Sequence, residues 1–139
     1  MYVNKTSTTK ILAIYDLLIG ATLLLIGLMM TLGKGDFAVF PEAYAASLPY
    51  DSWLLPGMIS LIFAVLNLFN AFALLNKRIS MERARKSILS SIFLAVALFV
   101  LLLGHALIVK ITFNAFVQII ALAVFQLFIG FKTFSEFKK

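Results

Sequence analysis

From Ile88 to Phe131 the chain runs 44 residues with Lys110 as its one charged side chain. A helix rises about 1.5 Å per residue, so about 20 residues cross a hydrocarbon core of about 30 Å. The block is too long for one crossing and suits two, with a break near Val109-Lys110-Ile111-Thr112, where Lys110 carries charge and Thr112 can cap the next helix. Two further apolar blocks, Ile11–Leu32 with 22 residues and Trp53–Leu75 with 23, each suffice for one crossing. The first exceeds the apolar region of a signal peptide, about 7–15 residues, and the small-x-small site Ala43-Tyr44-Ala45 lies too far beyond it. It therefore reads as a retained helix. The sequence predicts an all-α, integral membrane four-helix bundle with spans at approximately 11–32, 53–75, 88–108 and 112–133.

Charged residues make up 13% of the chain, against about 25% in soluble domains. The absence of Cys excludes disulfides, thiolate nucleophiles and Cys-type zinc or iron–sulfur sites, and a single His, His105, excludes paired-histidine haem ligation. No cofactor or metal is expected. The net charge of +6 points to topology and not to nucleic acid, because the basic residues flank the apolar blocks. Lys5, Lys10, Lys77, Arg78, Arg83, Arg85, Lys86, Lys132, Lys138 and Lys139 fall on one side of the four spans, and only Lys34 and Lys110 on the other. The positive-inside rule then places both termini and the basic turn 77–86 in the cytoplasm of a multi-pass cell-membrane protein.

Opposite that turn lies the outer loop, 33–52. Pro41 through Leu48 has the composition of a short amphipathic helix, with Pro at its first position and Glu42 complementing its N-terminus. Phe37, Phe40, Tyr44, Tyr50 and Trp53 suit an aromatic belt at the membrane–water interface. Within the basic turn, Ser80 can cap a helix beginning at Met81, with Ile79 ahead of the cap as a hydrophobic staple. Helix 3 then projects into the cytoplasm before entering the bilayer, carrying Arg83, Arg85 and Lys86 to anions of lipid or protein.

Polar residues within spans are the main functional leads, since burial in hydrocarbon is costly. By depth they form two layers. The inner layer holds Asp16, Asn67, Asn70, Ser90, Ser91 and Gln126, and the outer one His105, Asn114 and Gln118. On helix 2 the steps of Gly57, Ser60, Ala64, Asn67 and Ala71 make a stripe of small and polar residues suited to close packing, and Gly20 and Gly27 share a side of helix 1 with Asp16. Gln118 and Gln126 lie about 80° apart around helix 4, so that helix faces two neighbours or a partner chain. Asp16, the one acid within a span, is a satisfied carboxylate that fixes helix register, a proton- or cation-coupling group, or an acid that snorkels to the cytoplasmic interface. A serine hydrolase would need a base beside its Ser, but His105 lies at the opposite depth from Ser90 and Ser91. Enzymatic activity is not expected.

With a Pro-containing outer loop, Leu55-Pro56-Gly57 at the entry of helix 2 and a basic turn, the layout resembles small, uncharacterised four-span bacterial inner-membrane proteins. The acid in helix 1 is also similar to that of small multidrug-resistance transporters, although the long outer loop and the absence of their aromatic and Gly-rich patterns separate this chain from them. The expected function is that of a non-enzymatic accessory, regulatory or immunity-type subunit. It would work through helix–helix or lipid contacts, with itself, another membrane protein or anionic headgroups, the last drawn to Lys77, Arg78, Arg83, Arg85 and Lys86. The alternative is a small oligomeric proton- or cation-coupled transporter using Asp16, with Asn67, Asn70, Gln126, His105 and Gln118 as ligand candidates.

Overall fold

The computed structural model describes residues 6–32, 45–46, 48–49, 51–110 and 114–137, leaving out the side chains of 109 and 114–116. It contains four helices: α1 Ser7–Leu32, α2 Leu54–Leu75, α3 Met81–Val109 and α4 Asn114–Glu136. All four are long and apolar enough to cross a membrane, as expected of a multi-pass membrane protein. Each of α1 and α3 packs against both α2 and α4, giving a four-membered ring of antiparallel neighbours. One end of the bundle carries the start of α1, the end of α4 and the 76–80 turn, and the other the end of α1, the start of α2 and Lys110.

The helix starts follow from local chemistry. The Thr6 hydroxyl accepts the backbone N–H of Thr9 at 3.3 Å, so α1 begins one turn earlier than its apolar run. At α2, Pro56 occupies the first turn, where its missing N–H costs no hydrogen bond. Ser80 caps α3 as its sequence suggests, accepting from Arg83 N–H at 3.4 Å, and Ile79 and Ala84 are buried in one apolar cluster across the cap. The break in the long apolar block falls at Lys110, whose φ of 56° is left-handed and whose N–H returns to the Ala106 carbonyl. Glycine usually fills such a helix end. Here lysine adopts it, at an end with neither Gly nor Pro. Thr112, the expected cap of α4, and most of the expected helix from Pro41 to Leu48 lie outside the described residues.

The α1–α2 pair is the tightest part of the bundle. A Cβ on Gly27 would come to 3.0 Å from the Gly57 carbonyl oxygen, and a Cβ on Gly57 to 2.9 Å from Met30 Cβ and 3.2 Å from the Gly27 oxygen. Gly20 meets Leu68 in the same way. Ser60 donates its hydroxyl to the Leu23 carbonyl at 2.8 Å, and Ala64 is fully buried. The stripe read from spacing on α2 therefore faces the glycine side of α1, where small residues let two backbones approach.

Three apolar layers stack along the bundle. Leu12, Leu74, Ile79 and Ile88 fill the end with the termini. Ile19, Leu23, Leu98 and Ile119 fill the middle, and Met30, Leu48 and Trp53 the far end. Trp53 is buried there and not displayed at an interfacial belt; Phe37, Phe40, Tyr44 and Tyr50 lie outside the described residues. Around the outside, Leu25, Ile62, Phe69, Phe93, Val100 and Phe128 are each more than half exposed, the surface a lipid-facing bundle requires.

Gly57→Ala should lower the thermal midpoint in detergent. Overpacking against Met30 Cβ and a backbone carbonyl costs about 1–3 kcal/mol, which outweighs the gain of about 1 kcal/mol in helix propensity. Gly104→Ala, where a Cβ meets nothing within 4 Å among the described residues, should raise it. Equal shifts for the two variants would mean that α1 and α2 are not in close contact.

Candidate functional site

One polar side chain from each helix meets at the bundle centre: Asp16 from α1, Asn67 from α2, Ser91 from α3 and Gln126 from α4. All four are fully buried at 0% exposure. They lie between the apolar layer around Leu12 and Ile88 and that around Ile19 and Leu98. Helical geometry delivers them there, because each residue sits on the same face as buried small or apolar neighbours of its helix.

Gln126 is the hub. Its Nε2 donates one hydrogen to Asp16 Oδ1 at 2.5 Å and the other to Asn67 Oδ1 at 2.8 Å. Asn67 in turn donates Nδ2 to the Phe63 carbonyl, one helical turn back. Ser91 Oγ lies 2.5 Å from Asp16 Oδ2 and 3.0 Å from the Ser87 carbonyl. A hydroxyl has a single hydrogen, so the heavy atoms admit two arrangements. With Asp16 ionised, Ser91 donates to Oδ2. With Asp16 protonated, the carboxyl donates to Ser91 Oγ and Ser91 donates to the Ser87 carbonyl. The other amide atom of Gln126, Oε1, is buried without a hydrogen-bond partner among the described residues.

A second layer lies one turn nearer the 76–80 turn. Asn70 Nδ2 donates to Ser90 Oγ at 3.0 Å, joining α2 to α3. Nearer still to the termini, Thr8 donates to Glu136 Oε2, which ties the start of α1 to the end of α4. The inner layer expected from depth therefore forms two bonded sets, Asp16 with Asn67, Ser91 and Gln126, and Asn70 with Ser90. His105 is half-buried at the wall of a cavity, Gln118 is exposed, and the Asn114 side chain is outside the described residues. No three His, Cys, Asp or Glu among the described residues cluster as metal ligands.

Two of the basic residues assigned to lipid or protein anions have partners within the chain. Lys86 pairs with Glu82 at 2.6 Å, an i,i+4 contact on the surface of α3. The Arg85 guanidinium lies 5.5 Å from the centre of the Phe134 ring, a cation–π distance. Lys77, Arg78 and Arg83 are exposed. The Lys86 partner was readable as a four-residue spacing, whereas Arg85 over Phe134 requires knowing how α4 is rotated against α3. No protein-family model, curated protein or solved structure matches the chain.

Asp16→Ala should destabilise the bundle strongly, because it strands a donor on Gln126 and removes the Ser91 contact, at about 1–3 kcal/mol per unsatisfied buried group. Asp16→Asn should stay close to the parent. Its Oδ1 can accept from Gln126 while its Nδ2 donates to Ser91, reproducing the protonated arrangement. Unfolding by denaturing detergent, followed by circular dichroism, checks the pair. An alanine variant as stable as the parent would remove the structural role.

Proposed function

We propose that this chain is a non-enzymatic accessory, regulatory or immunity-type membrane subunit that acts through helix–helix or lipid contacts. The observation that carries this reading is the closure of Asp16. The carboxyl is fully buried, bonded to α3 and α4, and absent from the walls of the cavity beside His105. A coupling acid needs a water path on at least one side, whereas a register lock needs none. What remains for function is surface: the basic turn at one end and the apolar flanks.

In this reading both termini and the 77–86 turn face the cytoplasm, with an amphipathic helix in the opposite loop. Lys77, Arg78 and Arg83 attract anionic headgroups, at about 1 kcal/mol per basic residue near the surface, or an acidic face of a neighbouring membrane protein. The second reading keeps Asp16 as the coupling acid of a small oligomeric transporter. It is supported by the two hydrogen-bond arrangements open to Ser91, which let the site gain or lose a proton without moving its heavy atoms.

The chain has no native Cys, so Arg78→Cys and Ser52→Cys give single labels. An impermeant maleimide added to intact cells should label the Ser52 variant and spare the Arg78 variant; the reverse pattern would invert the topology. Purification from native membranes in mild detergent should retain a membrane partner or anionic lipid that is lost on joint replacement of Lys77, Arg78 and Arg83 by Gln. For the second reading, pH-driven uptake in proteoliposomes that disappears in Asp16→Asn would establish transport and displace the accessory role.

A further inference from the structure

In the half of the bundle away from the termini, a cavity of about 330 Å³ opens between α2 and α3. These helices touch far less than α1 and α2 do. Its inner wall is Leu23, Leu98 and Ile119 from the central apolar layer, and its mouth is formed by Leu55, Ile59, Val100, Leu101 and Ile108. The mouth residues are exposed and continuous with the lipid-facing surface of the spans. Of the two polar residues in the wall among the described residues, Ser60 already spends its hydroxyl on the Leu23 carbonyl, and the other is His105.

The glycines single out this place. A Cβ at Gly20, Gly27, Gly57 or Gly130 would come within 3.0 Å of another helix, so their lack of a side chain is explained by packing inside the chain. Gly104, in the cavity wall, would meet nothing within 4 Å. Glycine weakens a helix interior, and here no neighbour within the described chain requires it. What it provides is room.

Three features decide the occupant. An apolar cavity of this kind excludes water. From Leu98 to Ile108 the cavity wall runs about 15 Å along α3, half of a hydrocarbon core of about 30 Å, which is the depth of one leaflet. The rim is built of large aliphatic side chains, whereas a docking helix would be met by small ones. We propose that the cavity binds one acyl chain of a membrane phospholipid, entering from the leaflet at the far end of the bundle with its tail against Leu98 and Ile119. The inference needs only that the four helices span a bilayer, and it stands apart from the accessory and transport readings.

The test uses the full chain reconstituted in bilayers containing a phospholipid with a photoreactive diazirine on one acyl chain, with adducts mapped by mass spectrometry. Labelling of the cavity residues Ile59, Phe63, Leu98 and Leu101 should exceed that of Phe125 and Phe128 on the outer face of α4 several-fold. Gly104→Phe, which fills the space, should abolish the excess while leaving the α4 labelling unchanged, and Gly104→Ala, which leaves room, should keep it. Gly104→Leu is the smaller filler if the Phe variant does not fold. Even labelling across the lipid-facing surface, or an excess that survives filling, would each overturn the proposal.

Discussion

Within a hydrocarbon core there is no water to complete an unfinished hydrogen bond, and the arrangement of the four helices turns on how the amide nitrogen of Gln126 meets that constraint. Its amide nitrogen has two hydrogens, and they go to carbonyl-type oxygens on two different helices, Asp16 of α1 and Asn67 of α2. Ser91 closes the far side of the carboxyl from α3. With one donor or acceptor from every helix, rotation of any helix about its axis would strand a polar atom in an apolar medium. Apolar packing alone would permit many rotations of such uniformly hydrophobic cylinders. The polar centre selects among them.

The close α1–α2 pair complements that selection. Small residues set the distance between the two backbones, and a side chain-to-backbone bond from Ser60 to Leu23 sets their relative height. Asp16 and Asn67 belong to these same two helices, so the glycine contact and the polar centre reinforce one register. The α3–α4 side is fastened differently, by Ile92 seated against Gly130 and by Arg85 over Phe134 near the chain end.

Span number, the approximate ends of the helices and the inner polar layer were legible in the sequence because they depend on quantities that a sequence carries directly: run length, depth along a run, and spacing on one helix. The stripe Gly57-Ser60-Ala64-Asn67 and the cap at Ser80 belong to this class. What was not legible depends on how one helix turns toward another. Gln118 and Gln126 lie on the same helix about 80° apart, yet only Gln126 is buried; nothing local distinguishes them. The link from Thr8 to Glu136 spans nearly the whole chain, and the left-handed Lys110 stands where residue preferences favour glycine. The cavity beside Gly104 is a property of two helices in sparse contact, which no single stretch encodes.

Among the described residues, the hydrogen bonds between helices named above, apart from that of Ser60, lie in the half of the bundle toward the 76–80 turn. Hydrogen bonds tolerate little change in length or angle, whereas dispersion contacts are individually weak and broad. The half that holds Gln126 is therefore where the register of the helices is most narrowly fixed. A sideways load from the surrounding lipid would find the helices least free to turn at the depth where Gln126 joins them.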